Sequence, residues 1–332
     1  MPQPTPTHPT RWRHRPPGSN WGEFGDDDRI GRLNLIDSVR RRAALQEAVE
    51  GEVFCLSLPL DVGPGLNPTR LPPRLAAVER EGRLKFNLCA CELHPGLTDV
   101  ICDDRVTLYT QFSTQWDSLC HAGAMFDADG DGQPEVRYYN GFGAAREVGG
   151  SPLGLQHMAV SAVQGRGVMI DLRRHFGDAP TAVGYDKLMA VLRADRVQIE
   201  VGDMVCLHTG FADRLLQGLR DPVELARTGA WLDGHDSALL QWITDSGLSV
   251  LVSDNVAVEG RADKPALGYS GPLMPLHEHC LFKIGVHLGE LWHLTPLAQW
   301  LAANGRYRFL LTAPPLRLTG AVGSPVTPVA TV

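Results

Sequence analysis

Long apolar runs are missing from this sequence. No stretch approaches the ~20 apolar residues that a membrane-spanning helix needs, and the N-terminal MPQPTPTHPTRWRHRPPGSN has no apolar signal core. A long basic run is missing as well, and the formal net charge is -7. This charge argues against nucleic acid or an anionic membrane as the partner. We therefore expect a cytoplasmic protein whose partner is a small molecule.

The cysteines lack the spacing of a zinc ribbon. There are seven, an odd number, scattered mostly within apolar stretches, as reduced buried thiols are. Cys89 and Cys91 are too close together for a CxxC pair, which argues against zinc-ribbon chemistry.

The length and apolar content support a sizeable core. The chain has 332 residues, of which 43% are hydrophobic. Residues 1–20 are rich in proline and arginine and predict a flexible arm, unless a partner subunit or the domain surface holds it. Residues 21–332 show no internal repeat and no linker, so they predict a single catalytic domain. Within it, residues 21–50 predict a loop and a helix, capped near Asp37, that pack on the rest.

Alternating strand and helix patterns predict an α/β fold, with strands covered by helices. The predicted strands lie within 53–60, 105–112, 167–172, 203–210, 248–254 and 308–313. The predicted helices lie within 185–194, 236–247 and 277–285.

The segment QFSTQWDSLCHAG (111–123) has the spacing of a metal-binding site. Gln111, Gln115, Asp117 and His121 follow a predicted strand closely. Side chains at the end of a strand and in the following turn can converge on one point. Spacing alone allows a second interpretation, in which Asp117 and His121 form a structural hydrogen-bonded pair.

A second histidine-rich segment is LHEHCLFKIGVHLGELWHL. It brings His277, His279, His287 and His293 close in sequence to Glu290. Imidazole and carboxylate together are the usual ligands of catalytic divalent metals. Histidines on a helix often only cap or pack, so we expect one or two of the four to be ligands.

The acidic segment DADGDGQPE copies the opening of a calcium loop. Asp127, Asp129 and Asp131 precede Gly132, but Tyr138 occupies the position of the closing glutamate. An acidic turn between two strands is the favoured interpretation, and a weak surface calcium site is the alternative.

A polar cluster follows the strand predicted at 248–254. Asp254, Asn255 and Glu259 lie where α/β proteins place ligand contacts, and they are candidate substrate-binding residues. The alternative is a turn in which Asp254 and Asn255 bond the backbone.

Together these residues resemble the metal-dependent cyclase superfamily, which includes bacterial kynurenine formamidase and isatin hydrolase. The family motif H-x-G-T-H-x-D-x-P-x-H shares the frame of residues 111–121: Thr114, Asp117 and His121 match, and glutamine replaces both leading histidines. Further segments resemble the family: GRGVMIDL, VGDMVCLHTGF, APPLRLTGAVGSP and LHEHCLFKIGVHLGE. WGEFGDDDRIGRLNLI, TQWDSLCH and YNG suggest a branch that commonly replaces those histidines.

The resemblance implies a swivelling β/β/α domain with a central mixed, barrel-like sheet and flanking helices, in a homodimer or homotetramer. It also implies a divalent metal. The implied ligands are Asp117, Glu290, His277 with His279 as its rival, and Gln115 with Gln111 as its rival. The implied general acid/base is His121, assisted by Asp117.

Glutamine in place of histidine changes the expected metal. An amide oxygen is a harder and weaker donor than imidazole, so Mn²⁺ is expected rather than Zn²⁺. The implied activity is hydrolysis of a cyclic amide, lactone or formamide-like bond. Two alternatives remain: a metal-free lyase or cyclase that uses Asp117 and His121, and a non-catalytic binder of small molecules.

Aromatic side chains near the motifs predict an aromatic or cyclic substrate. Trp116 lies inside the first motif, Trp21 and Phe24 lie on the N-terminal loop, and Trp292 follows Glu290. The alternative is that the tryptophans pack the core or a subunit interface.

Overall fold

The computed structural model of the protein describes residues 11–260 and 268–332. Its strands, in chain order, are β1 (Val53–Cys55), β2 (Arg74–Ala77), β3 (Glu79–Arg80), β4 (Arg83–Leu84), β5 (Leu88–Cys89), β6 (Val100–Ile101), β7 (Asp104–Thr107), β8 (Gln115–Asp117), β9 (Ala124–Phe126), β10 (Glu135–Arg137), β11 (Gln164–Asp171), β12 (Thr181–Val183), β13 (Met204–His208), β14 (Ala230–Leu232), β15 (Val250–Ser253), β16 (His287–Glu290), β17 (Arg308–Thr312), β18 (Gly323–Pro325) and β19 (Val329–Thr331).

The α-helices of the described ranges are mostly short. They are α1 (Ser38–Leu45), α2 (Gln156–Val160), α3 (Leu172–Phe176), α4 (Tyr185–Ala194), α5 (Phe211–Leu216), α6 (Pro222–Leu225), α7 (Ser237–Ser246), α8 (Pro275–His277) and α9 (Thr295–Ala303). A π-helix, Glu278–Lys283, continues α8, and 3-10 turns cover Gly31–Leu35, Ala90–Glu92 and Tyr139–Gly141.

Nine strands form one mixed sheet in the order β1-β19-β17-β11-β13-β15-β16-β8-β18. β11, β13, β15 and β16 pair in parallel, and the pairs outside them are antiparallel. Both faces of the sheet are buried: Val205 and Leu207 of β13 belong to one apolar cluster, and Met204 and Cys206 belong to the other. The fold is mixed α/β with a curled central sheet, as the resemblance implied.

Local signals placed several elements correctly. α1 begins after Asp37, whose carboxylate accepts a hydrogen bond from the Arg40 N–H. The helix predicted at 185–194 is α4, and α7 lies within 236–247, capped by Asp236. A helix is present within 277–285 as predicted, and most of it is the π-helix. The strand predicted at 105–112 ends early, at Thr107.

The N-terminal segment contacts the domain. Residues 1–10 of the predicted arm lie outside the described ranges, but Trp12 is buried and the backbone N–H of Arg13 bonds the Ala128 carbonyl. Trp21 is fully buried and donates from Nε1 to the Phe282 carbonyl. For residues 11–20 the structure therefore corresponds to the alternative in which the domain surface holds the arm.

Asn140, in the YNG segment, ties the loop after Trp21 to the domain. Its Nδ2 lies within hydrogen-bond distance of the carbonyl oxygens of Gly25, Asp26 and Asp28, and its Oδ1 accepts from the Gly22 N–H. The residue has φ 54°, a backbone conformation that asparagine tolerates better than most. The loop after Trp21 and the YNG segment both suggested a branch of the family, and hydrogen bonds join them in the structure.

Residues 74–107 form small hairpins that leave the main sheet. Several of their apolar side chains are exposed, including Leu75 and Val100. Surfaces of this kind commonly mark protein contacts, but the homo-oligomer stays a prediction.

The prediction of reduced, buried cysteines is wrong at four positions. Cys89 and Cys91 form a disulfide, and Cys55 and Cys102 are exposed. Among the described residues no helix is long and apolar enough to cross a membrane.

The backbones of Gly31 and Gly285 are in close contact just before β16. Gly31 has φ +54°, and a Cβ there would overlap the backbone of Gly285, two residues before the strand. Gly51 also has positive φ, +75°, but has open space around its Cα.

We predict that Gly51→Ala lowers the free energy of unfolding by roughly 1–2 kcal/mol, and Gly31→Ala by about 1–3 kcal/mol more. Urea unfolding measures both, and equal losses would contradict the contact.

Candidate functional site

β8 forms the floor of the site. Gln115 pairs with Glu290 of β16, and Asp117 pairs with Gly323 of β18. Alternate residues of a strand share a face, so Gln115 and Asp117 point one way and Trp116 points the other. Trp116 is accordingly buried behind the site against Trp292, with ring centroids 5.0 Å apart.

The carboxamide of Gln115 has one fixed orientation. Its Nε2 donates to Glu290 Oε2 over 3.0 Å. An ionised carboxylate only accepts hydrogen bonds, so the amide nitrogen faces Glu290 and Oε1 faces away from it. Gln115 Oε1 is buried and has no hydrogen-bond partner in the described part of the chain.

Gln111 joins Asp117 to His121. Its Nε2 donates to Asp117 Oδ1 over 2.6 Å and lies 2.9 Å from His121 Nδ1 and 3.3 Å from His121 Nε2. The ring nitrogen that accepts from Gln111 leaves the other nitrogen of the imidazole available to carry a proton. The side chain of Gln111 fits because position 323 is glycine, where a Cβ would contact it.

His277 is buried among three carboxylates. It contacts Glu259 Oε1 through Nδ1 over 2.8 Å, and its Nε2 lies 3.3 Å from Glu290 Oε1 and 3.9 Å from Asp117 Oδ2. Burial acts to lower the pKa of His277, but the hydrogen bond to Glu259 and the charges of Glu290 and Asp117 outweigh it and raise the pKa to about 10.

Glu259 positions His277. Its carboxylate accepts hydrogen bonds from the backbone N–H groups of Leu276 and His277 and from His277 Nδ1, and only 2% of the residue is exposed. These contacts give Glu259 a role behind His277, and its predicted contact with substrate stays a prediction. A carboxylate behind a histidine fixes the ring and its tautomer, as in many metal sites.

Asp117 and Glu290 form a buried pair of like charges. Burial and the charge of Glu290 raise the pKa of Asp117. Burial also acts to raise the pKa of Glu290, but its contact with His277 outweighs this effect, and the backbone N–H of Ala257 assists. Ala257 has φ 71°, a strained conformation that serves this contact.

These residues fit a divalent cation. Three buried atoms have no hydrogen-bond partner within the described ranges: Gln115 Oε1, Asp117 Oδ2 and His277 Nε2. Asp117, His121 and His277 each offer a ligand atom within 4.8 Å of the others. A cation at this point would neutralise the two buried carboxylates, and oxygen donors with one imidazole suit Mn²⁺ better than Zn²⁺.

The site opens into a cavity of about 280 Å³. Its polar lining includes Gln111, Gln115, His121, His277 and Glu290. The rest of the lining comes in part from residues 64–70, a loop that the sequence did not single out. The full set is Pro64, Gly65, Leu66, Asn67, Arg70, Phe112, Val256, Ala257, Leu273, Met274 and Leu291. The strand pattern carries no signal for the loop 64–70.

The other histidines of the late segment lie outside the cavity lining. His279 is bonded to Thr244 Oγ1, and burial lowers its pKa to about 4, so it is not a rival of His277. Residues two apart on a helix do not share a face, so the two rings point in different directions. His287 bonds the Asp117 carbonyl through Nδ1, and His293 lies 3.5 Å from Asp213.

Asp254 and Asn255 bond the backbone. Asp254 accepts from the N–H groups of Thr209 and Gly210 and from the Thr209 hydroxyl, and Asn255 donates to the Ala230 carbonyl. Neither residue lines the cavity. The alternative interpretation as a turn is the correct one, because buried loop backbone needs these partners.

The aromatic residues singled out in the sequence pack elsewhere. Trp21 and Trp116 are fully buried outside the cavity, and the half-buried Phe24 is not among its lining residues. Their positions correspond to the alternative in which the tryptophans pack the core, and contact with substrate stays a prediction.

The acidic segment 127–132 is a tight turn. Asp127 accepts hydrogen bonds from the backbone N–H groups of Gly130, Asp131 and Gly132. Asp127, Asp129 and Asp131 could together hold an ion, but exposed acidic groups cluster commonly without one. The calcium site stays a prediction.

Comparisons with known proteins agree with this geometry. The model of the Cyclase family matches residues 40–260. A crystal structure of a novel cyclase is 30% identical, with a TM-score of 0.76, over 96% of this chain and 100% of that one. No curated protein sequence matches.

Two isatin hydrolase structures share the fold at lower identity. One, bound to the product analogue thioisatinate, is 15% identical with a TM-score of 0.58 over 89% of this chain and 99% of that one. The other, from Labrenzia aggregata and bound to benzyl benzoate, is 14% identical with a TM-score of 0.54 over 90% and 98%.

We predict that Glu259→Gln lowers the pKa of His277 from about 10 toward its ordinary value of 6.5. The variant removes the negative charge that stabilises the imidazolium form, so the ring releases its proton at lower pH. NMR titration of the imidazole in metal-free protein measures the change. Glu278→Gln, beside Lys283, is the matched control. An unchanged titration of His277 in Glu259→Gln would refute the positioning role.

Proposed function

Because the chain belongs to the Cyclase family, we propose that it is a metal-dependent hydrolase of a cyclic amide, lactone or formamide-like bond. One observation carries this proposal. Gln115 Oε1, Asp117 Oδ2 and His277 Nε2 are buried without partners next to Glu290, at the polar end of a cavity that also contains His121.

Gln115, Asp117, His277 and Glu290 would hold the cation. When bound, a divalent ion supplies Lewis acidity toward water and a carbonyl group. Glu259 directs Nε2 of His277 at the site, because Nδ1 is bonded to its carboxylate, and a bound cation would take the place of the Nε2 proton. Gln115 directs its oxygen inward because its nitrogen is bonded to Glu290.

His121 is the proton-transfer group in this proposal. It lies half-buried at the cavity, next to the cluster, where it can reach both substrate and water. Gln111 contacts the ring and leaves one of its two nitrogens free, and this nitrogen can give a proton to a leaving nitrogen or oxygen. Of the two glutamines, Gln111 is thus a positioning residue and Gln115 is a ligand of the cation.

The metal-free alternative is less well supported. It requires Asp117 and His121 to act as a direct acid/base pair, but the amide of Gln111 bridges them. It also leaves two buried carboxylates, Asp117 and Glu290, with only histidines, His121 and His277, as the basic groups named beside them. Burying such a pair without a compensating cation is costly.

We predict that the purified protein binds one Mn²⁺ per chain and that His277→Ala weakens this binding at least tenfold. Changes to residues behind a ligand already cost about 10- to 100-fold in affinity. His279→Ala, two residues along and bonded to Thr244, is the matched control and should bind Mn²⁺ normally. Isothermal titration with elemental analysis measures both. Equal binding by the two variants would reject His277 as a ligand.

We predict turnover of at least one member of a panel of small lactones, cyclic imides and N-formyl amines with added Mn²⁺. His121→Ala should lower kcat about 10²- to 10⁴-fold, with Mn²⁺ still bound. His235→Ala, at an exposed position, is the control. Activity that survives chelation would favour the metal-free enzyme. A tightly bound compound that stays unchanged over time would favour the non-catalytic binder.

A further inference from the structure

The cavity has an acidic end, and one cationic side chain, Arg70, also belongs to its lining. Arg70 belongs to the cavity lining, where the other charged or titratable members are Glu290 and the two histidines, His121 and His277. Most of the remaining lining is apolar and includes Leu66, Phe112, Leu273 and Met274. A ligand that fills the cavity therefore contacts an apolar lining, the polar residues at one end and one guanidinium.

A tight turn presents this guanidinium. Asn67 Oδ1 accepts hydrogen bonds from the backbone N–H and the hydroxyl of Thr69, and the Arg70 N–H bonds the Asn67 carbonyl. Arg70 Nη1 then donates to the carbonyl oxygen of Gln111 over 3.0 Å. The side chain is thus held next to the residue that bridges Asp117 and His121.

Arg70 has donors to spare. In the part of the chain that the structure describes, it forms no ion pair with a carboxylate, and the Gln111 carbonyl is its hydrogen-bond acceptor. A guanidinium carries five N–H donors in a planar fork that matches the two oxygens of a carboxylate. A half-buried arginine at a cavity without an acidic partner is a ready site for an anion.

We propose that Arg70 selects substrates that carry a free carboxylate in addition to the bond that is hydrolysed. This inference rests on the proposed function, since it assigns the scissile carbonyl to the Asp117, His277 and Glu290 end. The carboxylate binds Arg70, and the body of the substrate lies on the apolar lining. A cavity of about 280 Å³ limits that body to a small ring or short chain.

Phenylacetate and its neutral counterpart phenylacetamide test the proposal by binding alone. Affinities are measured by ligand-observed NMR on the full chain, both after chelation and with Mn²⁺. Arg70→Gln should weaken phenylacetate about 10- to 100-fold in both metal states, as expected for loss of a charged hydrogen-bonding partner. Phenylacetamide should bind the variant and the original protein alike, and Arg70→Lys should recover part of the loss.

Arg74→Gln is the matched control, because it removes the same charge at an exposed position outside the cavity. Unaltered Mn²⁺ and phenylacetamide binding in Arg70→Gln shows that the site is intact. Equal phenylacetate binding by Arg70→Gln and Arg74→Gln would overturn the proposal. Phenylacetate binding that requires Mn²⁺ but not Arg70 would also overturn the proposal for Arg70, although the proposed hydrolase would still stand. Binding that requires Arg70 in a protein that takes up no Mn²⁺ would support Arg70 and reject the hydrolase.

Discussion

The burial of two carboxylates at one point is the constraint on which the site depends. Asp117 and Glu290 lie on neighbouring antiparallel strands and are almost wholly removed from water. Like charges in such a place are costly unless donors and a cation surround them. Gln111 and Gln115 donate one amide N–H bond each to these carboxylates, and His277 contacts both.

The two glutamines have different roles, although they occupy equivalent-looking motif positions. Gln115 lies on β8, directly across from Glu290, so its oxygen is left for a cation. Gln111 precedes the strand and reaches Asp117 over the gap that Gly323 leaves. Under the proposed function, an amide in place of imidazole therefore supplies a cation ligand at one position and a contact to His121 at the other. The carboxylates of Asp117 and Glu290, with His277 and Glu259, form the rest of the site, although the two leading histidines of the family motif are replaced.

Much of the fold could be predicted, because its signals are local. The N-caps Asp37 and Asp236 and the helix at 185–194 depend on residues within a turn or two of each other. The failures have physical reasons as well. β8 is only three residues long and depends on pairing with β16 and β18. The π-helix at 278–283 has no pattern that distinguishes it from an α-helix in the sequence.

The sequence by itself determined which side chains are the candidates for chemistry: Asp117, His121, His277 and Glu290 all stand out by residue type and spacing. Only the tertiary structure decided where they lie and which partners they have. It brought strands about 170 residues apart into register, chose His277 over His279, and assigned Glu259 to His277 and Arg70 to the cavity. Residue type fixes what a group can donate or accept, whereas its pKa and its partners depend on burial and on neighbours that only the folded chain supplies.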